Sequence, residues 1–242
     1  MQSTCTRLDR FVSEKTSVNR RDVRLMLARG RLLVDGQPAV AINQPIYQFS
    51  QVLLDGEVLQ DKQAVYLMLH KPVGVVSATK DDKNSTVIDL LTHADRQKLH
   101  IVGRLDFNTS GLLLLTNDGR WSRALTQPEH KIPKCYHVTV ENPITDDYVQ
   151  AFAAGMYFSY EGLTTLPAEL KIISPYVAQL CLFEGRYHQV KRMFGRFDNK
   201  VLSLHRLSIG SLALDSALQP GQSRQLRREE LEQLACPFNW PR

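Results

Sequence analysis

At 242 residues, with 43% apolar and 23% charged side chains, the chain has the composition of an ordinary soluble protein, long enough for one large or two modest domains. No basic-then-apolar leader opens it and no apolar run approaches the roughly 20 residues that would span a bilayer, so a cytoplasmic protein that does not enter the membrane is expected. The net charge of +5 is unevenly spread: eight basic and three acidic residues lie between Arg7 and Arg31, leaving 22 of each elsewhere, the distribution of a polyanion-binding module attached to a neutral remainder. Cys5, Cys135, Cys181 and Cys236 are scattered singly, which sets up neither a disulfide framework nor a metal site, and reduced thiols are expected.

In the N-terminal module, Leu8, Phe11 and Val12 recur at helical spacing. Val23, Met26 and Leu27 repeat the pattern after Ser17 or Asn19, either of which can cap a second helix. Arg20, Arg21 and Arg24 fall largely off that apolar stripe. Arg31-Leu-Leu-Val-Asp-Gly-Gln-Pro then reads as a short strand turning at Asp35-Gly36, as in a hairpin. Charge runs are usually solvated helix faces, but this one is one-signed and belongs to a compact fold. From about Thr6 to Leu54, the elements R-L-D-x-F, the arginine-rich second helix and G-R-L-L-V-D-G resemble the S4 RNA-binding domain. The resemblance implies an S4-like (αL) RNA-binding domain over residues 1–58, with Arg20, Arg21, Arg24 and Arg31 on RNA. Residues 55–64 are polar and aperiodic, and a linker is placed there, with 59–64 as its body.

Val65 to His70 reads as a buried strand, followed by a sharp Lys71-Pro-Val-Gly74 turn. Lys71 is a surface lysine that contacts RNA or nothing. Thr86-Val-Ile-Asp-Leu-Leu opens a helix assigned to packing. Leu112 to Leu115 form an all-apolar strand whose two faces must both be covered, and ahead of it Asp106 sits on a polar segment between Gly103 and Gly111. The ordinary fate of such an Asp is an Asx turn, although a turn carried by a rigid strand is also a common place for chemistry. Arg120 to Leu125 predicts a short helix. Lys134 to Val140 alternates as a strand with Tyr136, Val138 and Val140 on one face. A helix capped at Thr145 and ended at Gly155 precedes strands near 168–173 and 177–183. Val190, Met193, Phe194 and Phe197 then form one helical stripe. Lys191 borders it, while Arg192 and Arg196 point away, toward solvent or RNA phosphate. His188 has no metal partner at ligand spacing. Arg224 to Ala235 reads as a last strand and a short helix, with a frayed end over 236–242.

G-R-L-D-x-x-T-S-G-L-L-L-L-T-N-D-G, spanning Gly103 to Gly119, resembles nearly letter for letter the catalytic motif of RNA pseudouridine synthases of the RsuA type. The resemblance implies an α+β catalytic domain over residues 65–242, with a mixed, mainly antiparallel sheet and flanking helices. It implies isomerisation of uridine to pseudouridine without cofactor or metal. Asp106 matches the catalytic acid, Tyr136 of K-x-Y the ring that stacks on the target uracil, and Lys191 of Q-V-K the partner of the acid. Arg104, a planar cation within the motif two residues before Asp106, is the candidate wedge for an everted nucleotide. E-G-R-Y-H-Q-V-K-R-M, from Glu184 to Met193, resembles the branch acting on 16S rRNA at uridine 516; large-subunit branches more often read E-G-x-N-R-x-V/I-R-R. The expected partner is 16S rRNA or an assembling 30S particle, and the expected state a monomer. A family member acting on 23S rRNA, a non-catalytic S4-type RNA binder and an RNA N-glycosidase are the alternatives.

Overall fold

The structure, a computed structural model, describes residues 5–159 and 161–235. The chain divides into two compact units, Met1–Ala64 and Val65–Arg242.

In the first unit, α1 (Leu8–Thr16) and α2 (Arg20–Ala28) bring Leu8, Phe11, Val12 and Val23 into one core with Leu32, Val34, Ile46 and Val52. Asn19 caps α2 by accepting the Asp22 N–H at 3.0 Å, while Ser17 ends α1 in the left-handed conformation. β1 (Leu32–Val34), β2 (Gln37–Pro38), β3 (Val52–Leu54) and β4 (Glu57–Gln60) make a sheet of order β2-β1-β3-β4. Asp35 and Gly36 both take positive φ, the geometry of a two-residue hairpin turn. Asp55 and Gly56 repeat it between β3 and β4. Residues 57–60, inside the stretch read as linker, are therefore an edge strand, polar because its side chains are largely solvated.

The second unit is built on β5 (Tyr66–Lys71), β6 (His100–Val102), β7 (Ser110–Thr116), β8 (Lys134–Val140), β9 (Glu169–Ser174), β10 (Val177–Leu182), β11 (Val201–Ile209) and β12 (Ser223–Gln225). Seven of these run in the order β9-β10-β8-β11-β7-β5-β12, with β6 also paired to β7, and every pairing but β11 with β7 is antiparallel. Successive leucines of β7 point to opposite faces, as strand geometry requires. Leu113 and Leu115 join the core that holds Leu67, Leu69, Phe152 and Phe194, whereas Leu112 and Leu114 join the core of Met68, Trp121, Leu125 and Leu234. Helices α4 (Asp146–Ala154) and α5 (Gln189–Gly195) contribute to the first face, α3 (Gly119–Thr126) and α6 (Arg228–Ala235) to the second. Both faces of the leucine strand are covered, and burying a Leu side chain contributes roughly 2 kcal/mol relative to exposing it.

Three expectations are corrected. Cys135 in β8 and Cys181 in β10 stand opposite each other in register, with Cα atoms 4.1 Å apart, and form a disulfide rather than two thiols. They lie 46 residues apart in sequence, and only strand pairing makes them neighbours. Cys5 is a free thiol, and Cys236, like the expected frayed end, lies outside the described residues. The stretch opening at Thr86 is a turn rather than a helix: the Thr86 N–H and Oγ1 both donate to Asp89 Oδ2 at 2.8 Å, while Val87, Ile88 and Leu91 are buried. Thr145 begins α4 without a side-chain cap bond.

Candidate active site

The site begins where β5 ends. Lys71 lies opposite Gly111 of β7, and Gly111 lies beside Arg206 of β11, which faces Tyr136 of β8. These residues form one row across the sheet, with side chains on the same face. Gly111 takes a φ of 111°, and a Cβ there would overlap the Arg206 backbone. A glycine at the centre of the row leaves the two long cations on either side free to reach over it.

Lys71 is fully buried, not a surface residue. Its ammonium donates to the carbonyls of Pro72 (2.9 Å), Asp106 (3.1 Å) and Thr109 (2.8 Å). Burial pushes its pKa down to about 8 against the pull of Asp106, with the positive charge of Arg206 adding to the depression. Ser77 Oγ donates to Leu105 O at 2.7 Å and accepts the Leu105 N–H, and the Gly74 N–H donates to Phe107 O. The Asp106 loop is thus anchored through its main chain. The loop's turn is closed by the Thr109 N–H donating to Asp106 O, so the carboxylate is not consumed in an Asx bond. Among the described residues that carboxylate accepts no hydrogen bond, and about a third of it is exposed.

Two side chains of the α5 region face the carboxylate. Lys191 Nζ lies 3.7 Å from Oδ2, and His188 Nε2 lies 3.5 Å from Oδ1. His188 takes a left-handed φ of 49° at the start of α5, and its ring stacks on exposed Tyr187 at 3.9 Å. Glu184 holds this corner: its carboxylate accepts from Leu166 N, Arg186 Nε and Gln189 Nε2. A cleft of about 550 Å³ opens over these residues, lined by Arg104, Asp106, Lys134, Tyr136, Lys191 and Arg206 among others. The pKa of Lys134 is likewise pushed down to about 8, by burial and then by the Arg206 charge. The arrangement presents the Asp106 carboxylate, with Lys191 and His188 beside it, in a concave pocket that the flat ring of Tyr136 also lines.

A family model described as RNA pseudouridylate synthase matches residues 65–195. The chain belongs to the RNA pseudouridylate synthase family. It is 54% identical over 226 residues to the ribosomal small subunit pseudouridine synthase A of Pseudomonas aeruginosa, covering 93% of this chain and 98% of that one. To the protein of the same name from Escherichia coli K12 it is 40% identical, with the same coverage. A crystal structure of a pseudouridylate synthase superposes with a TM-score of 0.69 at 37% identity, covering 94% of this chain and 99% of that one.

In this member of the family, all four catalytic-domain residues singled out from the sequence, Arg104, Asp106, Tyr136 and Lys191, line the same cleft. Arg192 is not free for phosphate: it forms a two-pronged ion pair with Glu161 and lies over the Phe158 ring at 3.8 Å. In the first unit, Arg20, Arg21 and Arg24 are exposed and form no ion pair with the described residues, whereas Arg31 is paired with Asp55. Sequence reasoning missed the interior roles of Lys71, Ser77 and Arg206 and the place of His188. The Lys71-Pro-Val-Gly74 motif was the only signal for the first. No described helix is long and apolar enough to cross a membrane, and no cluster of metal-ligating residues occurs among the described residues.

Proposed function

We propose that the protein isomerises uridine to pseudouridine in small-subunit ribosomal RNA, in the cytoplasm, with uridine 516 of 16S rRNA as its target. The observation that carries this reading is the Asp106 carboxylate, which accepts no hydrogen bond among the described residues, lines the cleft that Tyr136 also lines and is flanked by Lys191 and His188. Relatives covering nine-tenths of the chain bear the name ribosomal small subunit pseudouridine synthase A, and the form of the Glu184 to Met193 stretch supports the same branch.

Turning a target uridine out of its stack costs a few kcal/mol. Arg104, exposed at the cleft rim, fills the vacated space. Tyr136 holds the extruded ring, Asp106 engages the nucleotide and Lys191 orients the carboxylate. The first unit acts as an S4-like module whose exposed Arg20, Arg21 and Arg24 bind flanking RNA, with Arg31 contributing less because Asp55 already occupies it. The protein acts as a monomer on rRNA or on an assembling 30S particle.

The test is incubation with 16S rRNA and with assembling 30S particles, followed by carbodiimide treatment and primer extension. One new stop at uridine 516, absent with Asp106→Asn while RNA binding is kept, supports the reading. A stop at another uridine corrects the target, free uracil makes the protein an N-glycosidase, and neither signal makes it an inert binder.

A further inference from the structure

Among the described residues, Arg206 is a buried cation without a counter-ion. Only 2% of the residue is exposed, and its side chain pairs with no carboxylate among the described residues. Its Nε donates to Leu112 O at 2.7 Å, while its Nη2 is buried without a partner. The one other orphaned buried side-chain atom among the described residues is Thr109 Oγ1, and both residues line the cleft over Asp106. An unpaired buried guanidinium is costly, and its retention calls for a partner that the folded chain does not supply. Two further cations border the same floor. Lys71 is occupied by main-chain carbonyls, and Lys134, which gives one donor to Ile132 O, is only partly buried; among the described residues Arg206 Nη2 is the one buried cationic nitrogen without a partner.

The missing partner is suggested by the chemistry proposed above, on which this inference rests. When the N1–C1′ bond breaks, its electron pair stays with the uracil ring and spreads onto the carbonyl oxygens. The pair returns when C5 bonds to C1′, C5 loses its proton and N1 gains one, so no other reactant is needed. Arg206 and Tyr136 are direct cross-strand neighbours on one face of the sheet, so a base held against the Tyr136 ring lies within the field of the guanidinium. We propose that Arg206 Nη2 donates to a carbonyl oxygen of the detached uracil, stabilising the negative charge it carries between bond breaking and bond making. A backbone phosphate is a poorer fit, because it remains at the solvated rim while Nη2 is buried.

The test is a cycle between the enzyme and one substrate atom. Single-turnover pseudouridine formation is measured for wild type, Arg206→Gln and Arg206→Lys on 16S rRNA carrying uridine, 2-thiouridine or 4-thiouridine at the target. Sulfur accepts a hydrogen bond more weakly than oxygen. Arg206→Gln is expected to slow the reaction about 10²-fold, as loss of one preorganised oxyanion donor does, with RNA affinity changed less than about two-fold. Arg206→Lys falls between. One of the two thio substitutions slows wild type and slows the variants no further, because one hydrogen bond cannot be removed twice. Additive losses at both sulfur positions, or equal losses of rate and affinity, overturn the inference. Where Arg206→Gln fails to fold, Arg206→Lys carries the cycle. Wild-type protein that makes no pseudouridine refutes the function proposed above, whereas an active wild type matched by a fully active Arg206→Gln refutes only the role of Arg206.

Discussion

The ammonium of Lys71 donates to the main-chain carbonyl of Asp106 at 3.1 Å across 35 residues of sequence. A fully buried lysine therefore grips the back of the loop whose front presents the carboxylate. The loop's position is an interior property, set by β5 as much as by its own residues.

Replacing Lys71 by Met removes the donor from the carbonyls of Pro72, Asp106, Phe107 and Thr109 at once. The expected cost is about 1–3 kcal/mol, the range for leaving a buried acceptor unsatisfied, read as a lower urea midpoint. Pseudouridine formation should fall with it, because the Asp106 loop loses its anchor. A variant as stable and active as wild type would remove Lys71 from this role.

The same burial sets a pH dependence. Lys71 and Lys134 have pKa values of about 8 in the folded chain, below their ordinary value of 10.5. Above pH 8 the unfolded chain holds protons that the folded chain has released, so these two groups make stability rise with pH toward 10.5. Tyr66, whose pKa is raised by burial, acts in the opposite sense above pH 10. Between pH 8 and about 9.5, the melting temperature of wild type should therefore gain on that of Lys134→Met. A constant gap would contradict the assignment.

Lys191→Met addresses the chemical step. Lys191 lies 3.7 Å from the Asp106 carboxylate, so single-turnover rate should fall by about 10²-fold or more while RNA affinity changes little. Equal losses would make Lys191 a phosphate contact instead.

Arg20, Arg21 and Arg24 changed together to Gln should weaken RNA binding and reduce the slope of log affinity against log salt by about 0.7–0.9 for each phosphate that is no longer neutralised. Arg31→Gln should do less, since its guanidinium is already paired with Asp55. Filter binding over a salt series distinguishes the two sets. An unchanged slope for the triple variant removes the proposed role of the first unit.

Gly111→Ala tests the row of side chains beneath the cleft. A methyl group there would overlap the Arg206 backbone and would sit on a residue with φ of 111°. Strands β7 and β11 must then separate, at a cost of about 3 kcal/mol, read from chemical denaturation. A neutral result would mean that the parallel pairing of β7 with β11 is looser than the structure describes.

Much of the framework is local and is legible for that reason. The four leucines of β7, the alternation around Tyr136 and the stripe from Val190 to Phe197 are periodic signals that neighbouring residues carry by themselves. The Asp-Gly turns are equally local, yet the polar strand after Asp55-Gly56 reads as linker, because an edge strand with solvated side chains has no apolar pattern to show. The Thr86 segment has helical apolar spacing but is held in a turn by its own Asp89.

The order of residues alone determined which segments bury which faces and, through motif likeness, which acid, ring and lysine to watch. It could not show that Cys135 meets Cys181, that Arg192 is spent on Glu161, or that Lys71 and Arg206 are buried cations flanking a glycine under the cleft. Those facts depend on pairings between strands that lie far apart in the chain, and a charged side chain reads the same in sequence whether water or the protein interior surrounds it. Only the assembled sheet decides which, by excluding water from the packed faces of its strands and so fixing which charges lie inside.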